Sequence, residues 1–172
     1  LEQNEKLGKK LFITGKGRCN LTNASDMEQL FANVVSNRKF LYSAFYSYDN
    51  EQVISFFESH GMPTKTERGN RVFPVSDHSS DVIAALSTAL RGQHVEVLLH
   101  TKVNRLLLEK RDEEKRVTGV ELADHTKMHA DAVIVATGGI SYPSTGATGD
   151  GYRMAEESGH KMVFFLQSHC GQ

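Results

Sequence analysis

The sequence has few cysteines and no excess of charge of either sign. Its 172 residues contain two cysteines, Cys19 and Cys170, which argues against a disulfide framework and against a cysteine-based zinc site. The formal net charge is −1, so there is no electrostatic footprint for nucleic acid or for an anionic membrane. These absences predict a protein of a reducing compartment that has neither a nucleic-acid partner nor a membrane partner.

Long apolar runs and common catalytic motifs are also missing. No run approaches the length of a membrane span, and the N-terminus lacks the apolar core of a signal peptide, so a cytoplasmic location is the default prediction. The eight histidines show no metal-ligating spacing, and no G-x-S-x-G elbow occurs. We therefore predict an ordinary globular protein with no metal site, in which no residue identifies itself as a general acid or base.

Residues 131–160 carry the most informative pattern. Residues 132–136 form a short apolar, β-branched run, which predicts a strand buried on both faces at the centre of a parallel sheet. Gly138 and Gly139 follow at once, and a second glycine turn at residues 148–151 precedes a helical pattern over residues 152–158 that Gly159 closes.

Such glycines have a chemical consequence. At the carboxyl end of a parallel strand they let the backbone approach a ligand, and the free N–H groups of a following helix favour an anion. The pattern predicts a bound nucleotide or dinucleotide. The alternative is a purely structural turn followed by a flexible loop.

Residues 9–23, KKLFITGKGRCNLTN, form the second notable stretch. They combine permissive glycines with the cations Lys16 and Arg18 and with short polar side chains, which is the chemistry of an anion site. The stretch is not a P-loop, because the G-x-x-x-x-G-K spacing and the following Ser or Thr are absent. A basic surface loop is the alternative.

The remaining local patterns predict a regular succession of elements. The first elements are a helix with an S-x-x-E cap at Ser25, an aromatic packing stripe in residues 38–46 and a helix over residues 51–60 capped by Asp49 and Gln52. A β-hairpin over residues 63–75 and a helix from Ser79 or Ser80 to Gly92 follow. The last are a strand over residues 95–99 and a β-meander built on residues 103–110 and 117–123 that returns through residues 127–130.

Two of these stretches resemble a known family. ITGKGRCNLTN is similar to the [I/S]-[T/S]-G-G-G-R-C-N-x-T-N signature of bacterial NAD(P)/FAD-dependent oxidoreductases of the BaiN and aminoacetone oxidase type. Lys16 stands where that family usually has Gly. ATGG followed by TGDGYRMAEESGH resembles the corresponding turn and helix of flavoproteins with two-dinucleotide-binding-type FAD domains. The likeness extends from Glu2 to about Met162.

The resemblance implies a fold and a function. The fold is α/β, and residues 1–162 form an incomplete Rossmann-like FAD-binding domain with a β-meander and a helical insertion. Residues 163–172 are a C-terminal tail, which is either the beginning of a substrate domain or divergent from it. The function is that of a flavin-dependent oxidoreductase, with FAD as cofactor, NAD(P)H as a candidate electron donor and a small molecule as substrate.

The resemblance also implies which residues bind the cofactor. Glu2 would bind the ribose, although a solvated terminal glutamate is the alternative. The other implied positions are Lys10, Thr14, Gly15, Gly17, Arg18, Cys19 and Asn20 beside the flavin or pyrophosphate, Val103, Ala136, Thr137 and Gly138 along the adenosine half, and Thr148, Gly149, Asp150 and Gly151 at a helix N-terminus.

Both chain ends look like cuts through a larger protein. The chain opens without Met, lacks the G-x-G-x-x-G turn that grips the pyrophosphate in the resembling family, and closes on an apolar run. We therefore expect this polypeptide alone to bind FAD weakly or not at all. Two alternatives stay open: a non-catalytic nucleotide-binding fragment, and a redox enzyme that uses only NAD(P).

Overall fold

The computed structural model describes residues 1–111 and 114–163, apart from the side chains of residues 111 and 114. The chain divides into two compact units. Leu7–Glu96 form the first, which we call the helical unit. Leu1–Lys6 and the chain from Val97 onward form the second, the hairpin unit. The predicted tail lies outside the described residues beyond Val163.

The helical unit places short helices around a small antiparallel sheet of strand order β1-β3-β2, in which Thr66 and Thr22 both face Val72. The predicted hairpin is confirmed as β2 and β3, with Gly69 and Asn70 at positive φ in the connecting turn. The elements are α1 Lys9–Ile13, β1 Thr22–Asn23, α2 Met27–Ala32, α3 Tyr42–Ser47, α4 Asn50–Ser59, β2 Thr64–Glu67, β3 Arg71–Pro74 and α5 Ser79–Gly92, with 3₁₀ turns at Thr14–Gly17 and Arg38–Leu41.

Helix caps in this unit follow the predictions in part. The capping box of Asp49 and Gln52 at α4 is confirmed. The prediction for α2 is wrong by one residue, because Asp26 accepts the backbone N–H of Gln29 at 2.8 Å. The predicted cap of α5 at Ser79 or Ser80 is also wrong, because His78 is the N-cap residue, although the predicted end of this helix at Gly92 is confirmed. Ser79 lies buried inside the helix and its hydroxyl donates to the carbonyl of Phe12 at 3.1 Å.

The core of the helical unit is built from residues of several elements: Cys19, Phe57, Met62, Val82 and Ala85. A separate aromatic cluster surrounds the buried ring of Phe31. The rings of Tyr42, Phe45 and Tyr46 lie 4.6, 5.2 and 5.8 Å from it. The predicted buried aromatic stripe is therefore wrong in part: Phe45 is half-buried against Phe31, whereas Phe40, Tyr42 and Tyr46 are 84%, 41% and 72% exposed.

The hairpin unit is dominated by an antiparallel sheet of strand order β4-β5-β6, which confirms the predicted meander. Its elements are β4 Val103–Arg111, β5 Glu114–Leu122, β6 Lys127–His129, a 3₁₀ turn at Pro143–Thr145 and α6 Asp150–Glu157. Met154 of α6 and Val120 of β5 are buried. Gly159 follows α6 with a φ of 99°, as predicted for the residue that closes a helix.

Both predicted parallel strands are wrong for the described part of the chain. Residues 132–136 and 95–99 form no strand, and Ile134 is 93% exposed. An apolar run becomes a buried strand only where neighbouring strands take its hydrogen bonds and cover its faces, and no described strand lies beside residues 132–136. Instead, Glu2 N donates to Leu98 O at 2.9 Å, and Glu2 O accepts the backbone N–H of Thr101 at 2.8 Å. In the described residues, no helix is long and apolar enough to cross a bilayer.

Candidate functional site

The predicted anion loop of the helical unit has an unusual backbone. Gly15, Lys16, Gly17 and Cys19 all have φ between 56° and 83°. An L-residue pays about 1–2 kcal/mol in this left-handed region, which glycine enters freely. At Gly15 a side chain is excluded as well, because a Cβ would lie 2.8 Å from the backbone nitrogen of Asn20.

The same loop uses its own polar groups to close on itself. Arg18 N donates to Gly15 O at 3.2 Å and Cys19 N donates to Thr14 O at 3.1 Å. The Thr14 hydroxyl donates to Leu11 O, and the Cys19 side chain is buried in the core at 3% exposure. The Asn20 amide, with its nitrogen oriented to donate, reaches the carbonyls of Thr22 and Val72 at 3.1 Å. These N–H groups are therefore not directed at a phosphate.

Arg18 lies at the centre of a compact ion-pair network. Its Nε donates to Asp77 Oδ1 at 2.7 Å, its Nη2 donates to Glu67 Oε1, and its guanidinium carbon lies 4.1 Å from the centroid of the Phe73 ring. Lys65 Nζ donates to Asp77 Oδ2 at 2.6 Å and lies 3.6 Å from Glu67 Oε1. Two cations meet two carboxylates, so the formal charges in the network cancel.

The network keeps its members ionised. Hydrogen bonds from Arg18 lower the pKa of Glu67, and hydrogen bonds from Lys65 and then Arg18 lower the pKa of Asp77. The same bonds, first to Glu67 and then to Asp77, raise the pKa of Arg18. At neutral pH both carboxylates are therefore charged acceptors held by Arg18 and Lys65.

The hairpin unit brings the two predicted glycine turns together. Gly149 N donates to Gly139 O at 3.1 Å. A Cβ on Gly151 would lie 2.6 Å from the hydroxyl of Thr137 and 3.5 Å from Val135. Gly138 and Gly149 have φ of 72° and 82°, which favours glycine at both. Ala136, Thr137 and Gly138 are exposed residues, and Thr137 lies beside the start of α6.

Asp150 gives this helix start an acidic character. The Thr148 hydroxyl donates to Asp150 Oδ2 at 2.6 Å, and Arg153 Nη2 lies 3.3 Å from Oδ1. These two hydrogen bonds lower the pKa of the Asp150 carboxyl, and the bond from Thr148 has the larger effect. An ionised carboxylate here accepts hydrogen bonds from hydroxyl groups and repels a phosphate.

Glu2 and Val103 also lie in the hairpin unit. Glu2 Oε1 accepts the backbone and side-chain N–H groups of Asn4 at 2.8 and 2.7 Å. Side-chain amides then tether this segment, with Asn4 donating to Thr145 O at 3.1 Å and Gln3 donating to Gly146 O at 2.7 Å. Val103 begins β4 opposite Leu122. The carboxylate predicted to bind ribose is thus bonded to Asn4, whose side chain in turn donates to the 3₁₀ turn.

The predicted site residues fall into two groups. Lys10 and residues 14–20 belong to the helical unit, and all the others belong to the hairpin unit. That they share one cofactor stays a prediction. Sequence reasoning gave no site role to Lys65, Glu67, Asp77 or Gln3. Among the described residues, no group of three His, Cys, Asp or Glu side chains could hold a metal.

Comparison with known proteins identifies the family. The family model described as the HI0933-like protein Rossmann domain matches residues 1–165. This match confirms the predicted α/β, Rossmann-type fold class. It does so although the described strands pair antiparallel, because the family is identified by the sequence along nearly the whole chain.

Three curated relatives cover almost the same residues. A 3-dehydro-bile acid delta(4,6)-reductase of Clostridium scindens is 34% identical over 94% of this chain and 37% of its own length. Ribosomal RNA dihydrouridine synthases of Haemophilus influenzae and Escherichia coli are 29% and 27% identical, over 94% and 92% of this chain and 39% and 38% of theirs. The chain thus spans about two fifths of the length of these relatives. It belongs to the HI0933-like Rossmann domain family.

Proposed function

We propose that this chain is the FAD-binding part of a flavin-dependent oxidoreductase. The observation that carries the proposal is the meeting of the Thr137 turn with the start of α6, where exposed residues lie next to the ionised Asp150. Together with the family match, this arrangement supports a dinucleotide cofactor. The chemistry that FAD would supply when bound is electron exchange with NAD(P)H or with an organic substrate.

The chain's own residues would bind and orient the cofactor. Asp150 would accept hydrogen bonds from hydroxyl groups of the cofactor, because its carboxylate is held ionised and already lies at a helix start. Ala136, Thr137 and Gly138 would offer backbone groups along the cofactor. Glu2 and Val103 are proposed for the adenosine half, Glu2 through its carboxylate and Val103 through its backbone.

The hairpin unit fits the hydroxyl-bearing parts of FAD better than its pyrophosphate. The carboxylate of Asp150 disfavours a phosphate at the start of α6. In the helical unit, the N–H groups of Arg18 and Cys19 are bonded within the loop. The sequence left open whether this polypeptide alone binds FAD weakly or not at all; we propose weak binding, and both observations support it.

The substrate class has two candidates. The name of the Clostridium scindens relative favours a small unsaturated molecule such as a bile acid derivative. The names of the other two relatives favour ribosomal RNA, so the prediction of no nucleic-acid partner is not confirmed. The net charge of −1 supports the small molecule, because a nucleic-acid interface relies on basic surface.

A flavin titration tests the proposal. The purified chain is titrated with FAD, and flavin fluorescence and visible absorbance are recorded, with NADH and AMP titrated in parallel. We expect FAD to bind with a dissociation constant between about 1 μM and 1 mM. Binding of NADH without any binding of FAD would contradict the proposal, and binding of AMP alone would favour a nucleotide-binding fragment.

A further inference from the structure

The Arg18 network suggests a role for this arginine other than direct contact with a cofactor phosphate. The planar guanidinium of arginine is suited to bidentate contact with phosphate or carboxylate. Here its Nε and Nη2 already contact two carboxylates, and one face lies on the Phe73 ring. A phosphate that approached the guanidinium would also approach Glu67 and Asp77, whose charges repel it.

The loop that carries Arg18 needs to be held in place. Lys16 and Cys19 adopt left-handed backbone conformations without being glycine, and such conformations persist only where surrounding contacts enforce them. Glu67 ends β2 and Asp77 follows β3, so Arg18 joins the loop to both ends of the hairpin. Lys65 donates to Oδ2 of Asp77, the carboxylate oxygen to which the Arg18 Nε does not donate.

We infer that Arg18 is a positioning residue, which acts through Glu67 and Asp77 to hold the glycine loop of residues 14–20 in its cofactor-binding conformation, and that it does not contact the cofactor phosphates. This inference rests on the proposed function and on the prediction, from the family resemblance, that residues 14–20 lie beside the flavin or pyrophosphate. It assigns to Glu67 and Asp77 a part in cofactor binding although neither carboxylate would touch the cofactor.

The two roles of Arg18 predict opposite effects when the carboxylates are neutralised. If Arg18 acts through them, the Glu67→Gln/Asp77→Asn variant releases the loop and weakens FAD binding. If Arg18 contacts a phosphate directly, the same variant removes competing carboxylates and leaves FAD binding equal or tighter.

The experiment measures FAD affinity for the unaltered chain, Arg18→Gln, Glu67→Gln/Asp77→Asn and the variant that combines all three changes. Thermal unfolding confirms that each is folded at the assay temperature. Arg71→Gln is the matched control, because the guanidinium of Arg71 lies 5.8 Å from the same Phe73 ring and donates to a backbone carbonyl. If the double variant does not fold, Glu67→Gln alone, which leaves Asp77 on Arg18, serves for the comparison.

We expect Arg18→Gln and the carboxylate variant each to weaken FAD binding about tenfold, and their combination to be no weaker than either, because residues that act as one unit are not additive. The visible circular dichroism of the flavin, recorded at saturating FAD, should change in these variants and stay unchanged in Arg71→Gln. Equal or tighter binding by the carboxylate variant overturns the inference alone. Failure of the unaltered chain to bind FAD overturns the proposed function, and the inference with it.

Discussion

A methyl group at Gly151 tests whether the two turns of the hairpin unit form a cofactor site. In the Gly151→Ala variant the new Cβ would lie 2.6 Å from the Thr137 hydroxyl, about 0.8 Å short of ordinary contact at 3.4 Å. The hydroxyl is the end of a rotatable side chain, so Thr137 must turn or its loop must shift. The perturbation therefore falls directly on the exposed turn that we propose to lie along FAD.

The effect on stability should be small. Replacing glycine by alanine in a helix gains up to about 1 kcal/mol. Rotating Thr137 away from its preferred position costs about 0.5–1.5 kcal/mol. These opposing effects nearly cancel, so we expect the free energy of unfolding to change by less than about 1 kcal/mol. FAD affinity should fall about tenfold, since the moved side chain or loop no longer matches the cofactor.

Urea denaturation and FAD titration measure the two quantities separately. Gly92→Ala is the matched control, because a Cβ there meets nothing within 4 Å. The variant Thr137→Ala/Gly151→Ala removes the clashing hydroxyl and should regain most of the lost affinity. If Gly151→Ala binds FAD as tightly as the unaltered chain, the Thr137 turn does not contact the cofactor and the reasoning fails.

Three further predictions concern the framework around the site. Gly119→Ala should lower the free energy of unfolding by about 2–4 kcal/mol, because the new Cβ would overlap the Met128 carbonyl oxygen and separate β5 from β6. A urea midpoint equal to that of Gly92→Ala would contradict this prediction. Lys16→Gly should raise the free energy of unfolding by about 1 kcal/mol, because glycine relieves the φ of 58°, and a lowered urea midpoint would count against that strain. Acidification should destabilise the helical unit, because the pKa values of Glu67 and Asp77 are lowered in the folded protein. The stability that these carboxylates contribute is present above their unfolded pKa values, near pH 4, and is lost as the pH falls through their folded pKa values. Thermal unfolding recorded against pH should show a fall in melting temperature that is smaller in Glu67→Gln/Asp77→Asn than in the unaltered chain.

Several elements could be predicted from the sequence because short-range interactions decide them. The capping box of Asp49 and Gln52 depends on residues three positions apart, and the β2–β3 turn depends on Gly69 and Asn70. The meander likewise joins strands that follow one another along the chain. The cap predicted at Ser25 was wrong because Asp26, the next residue, is an equally suitable cap and accepts the backbone N–H of Gln29.

The candidate site depends on longer-range contacts. The composition and spacing of residues 9–23 indicated an anion loop, but the partners of Arg18 are Glu67 and Asp77, which are 49 and 59 positions away. No local pattern identifies such partners, because any of the surface carboxylates could have filled the role. The glycine turns at Gly138 and Gly149 were predicted, and the structure shows that they meet within one unit.

The sequence by itself determined the family and the positions of its glycine turns, because both reside in the order of residues along the chain. Only the tertiary structure decided that residues 132–136 form no strand and are mostly exposed, and that the charge of Arg18 is balanced by carboxylates. The physical reason is that strand pairing and ion pairing depend on which distant groups come within hydrogen-bonding distance. Periodicity and spacing carry no information about those groups.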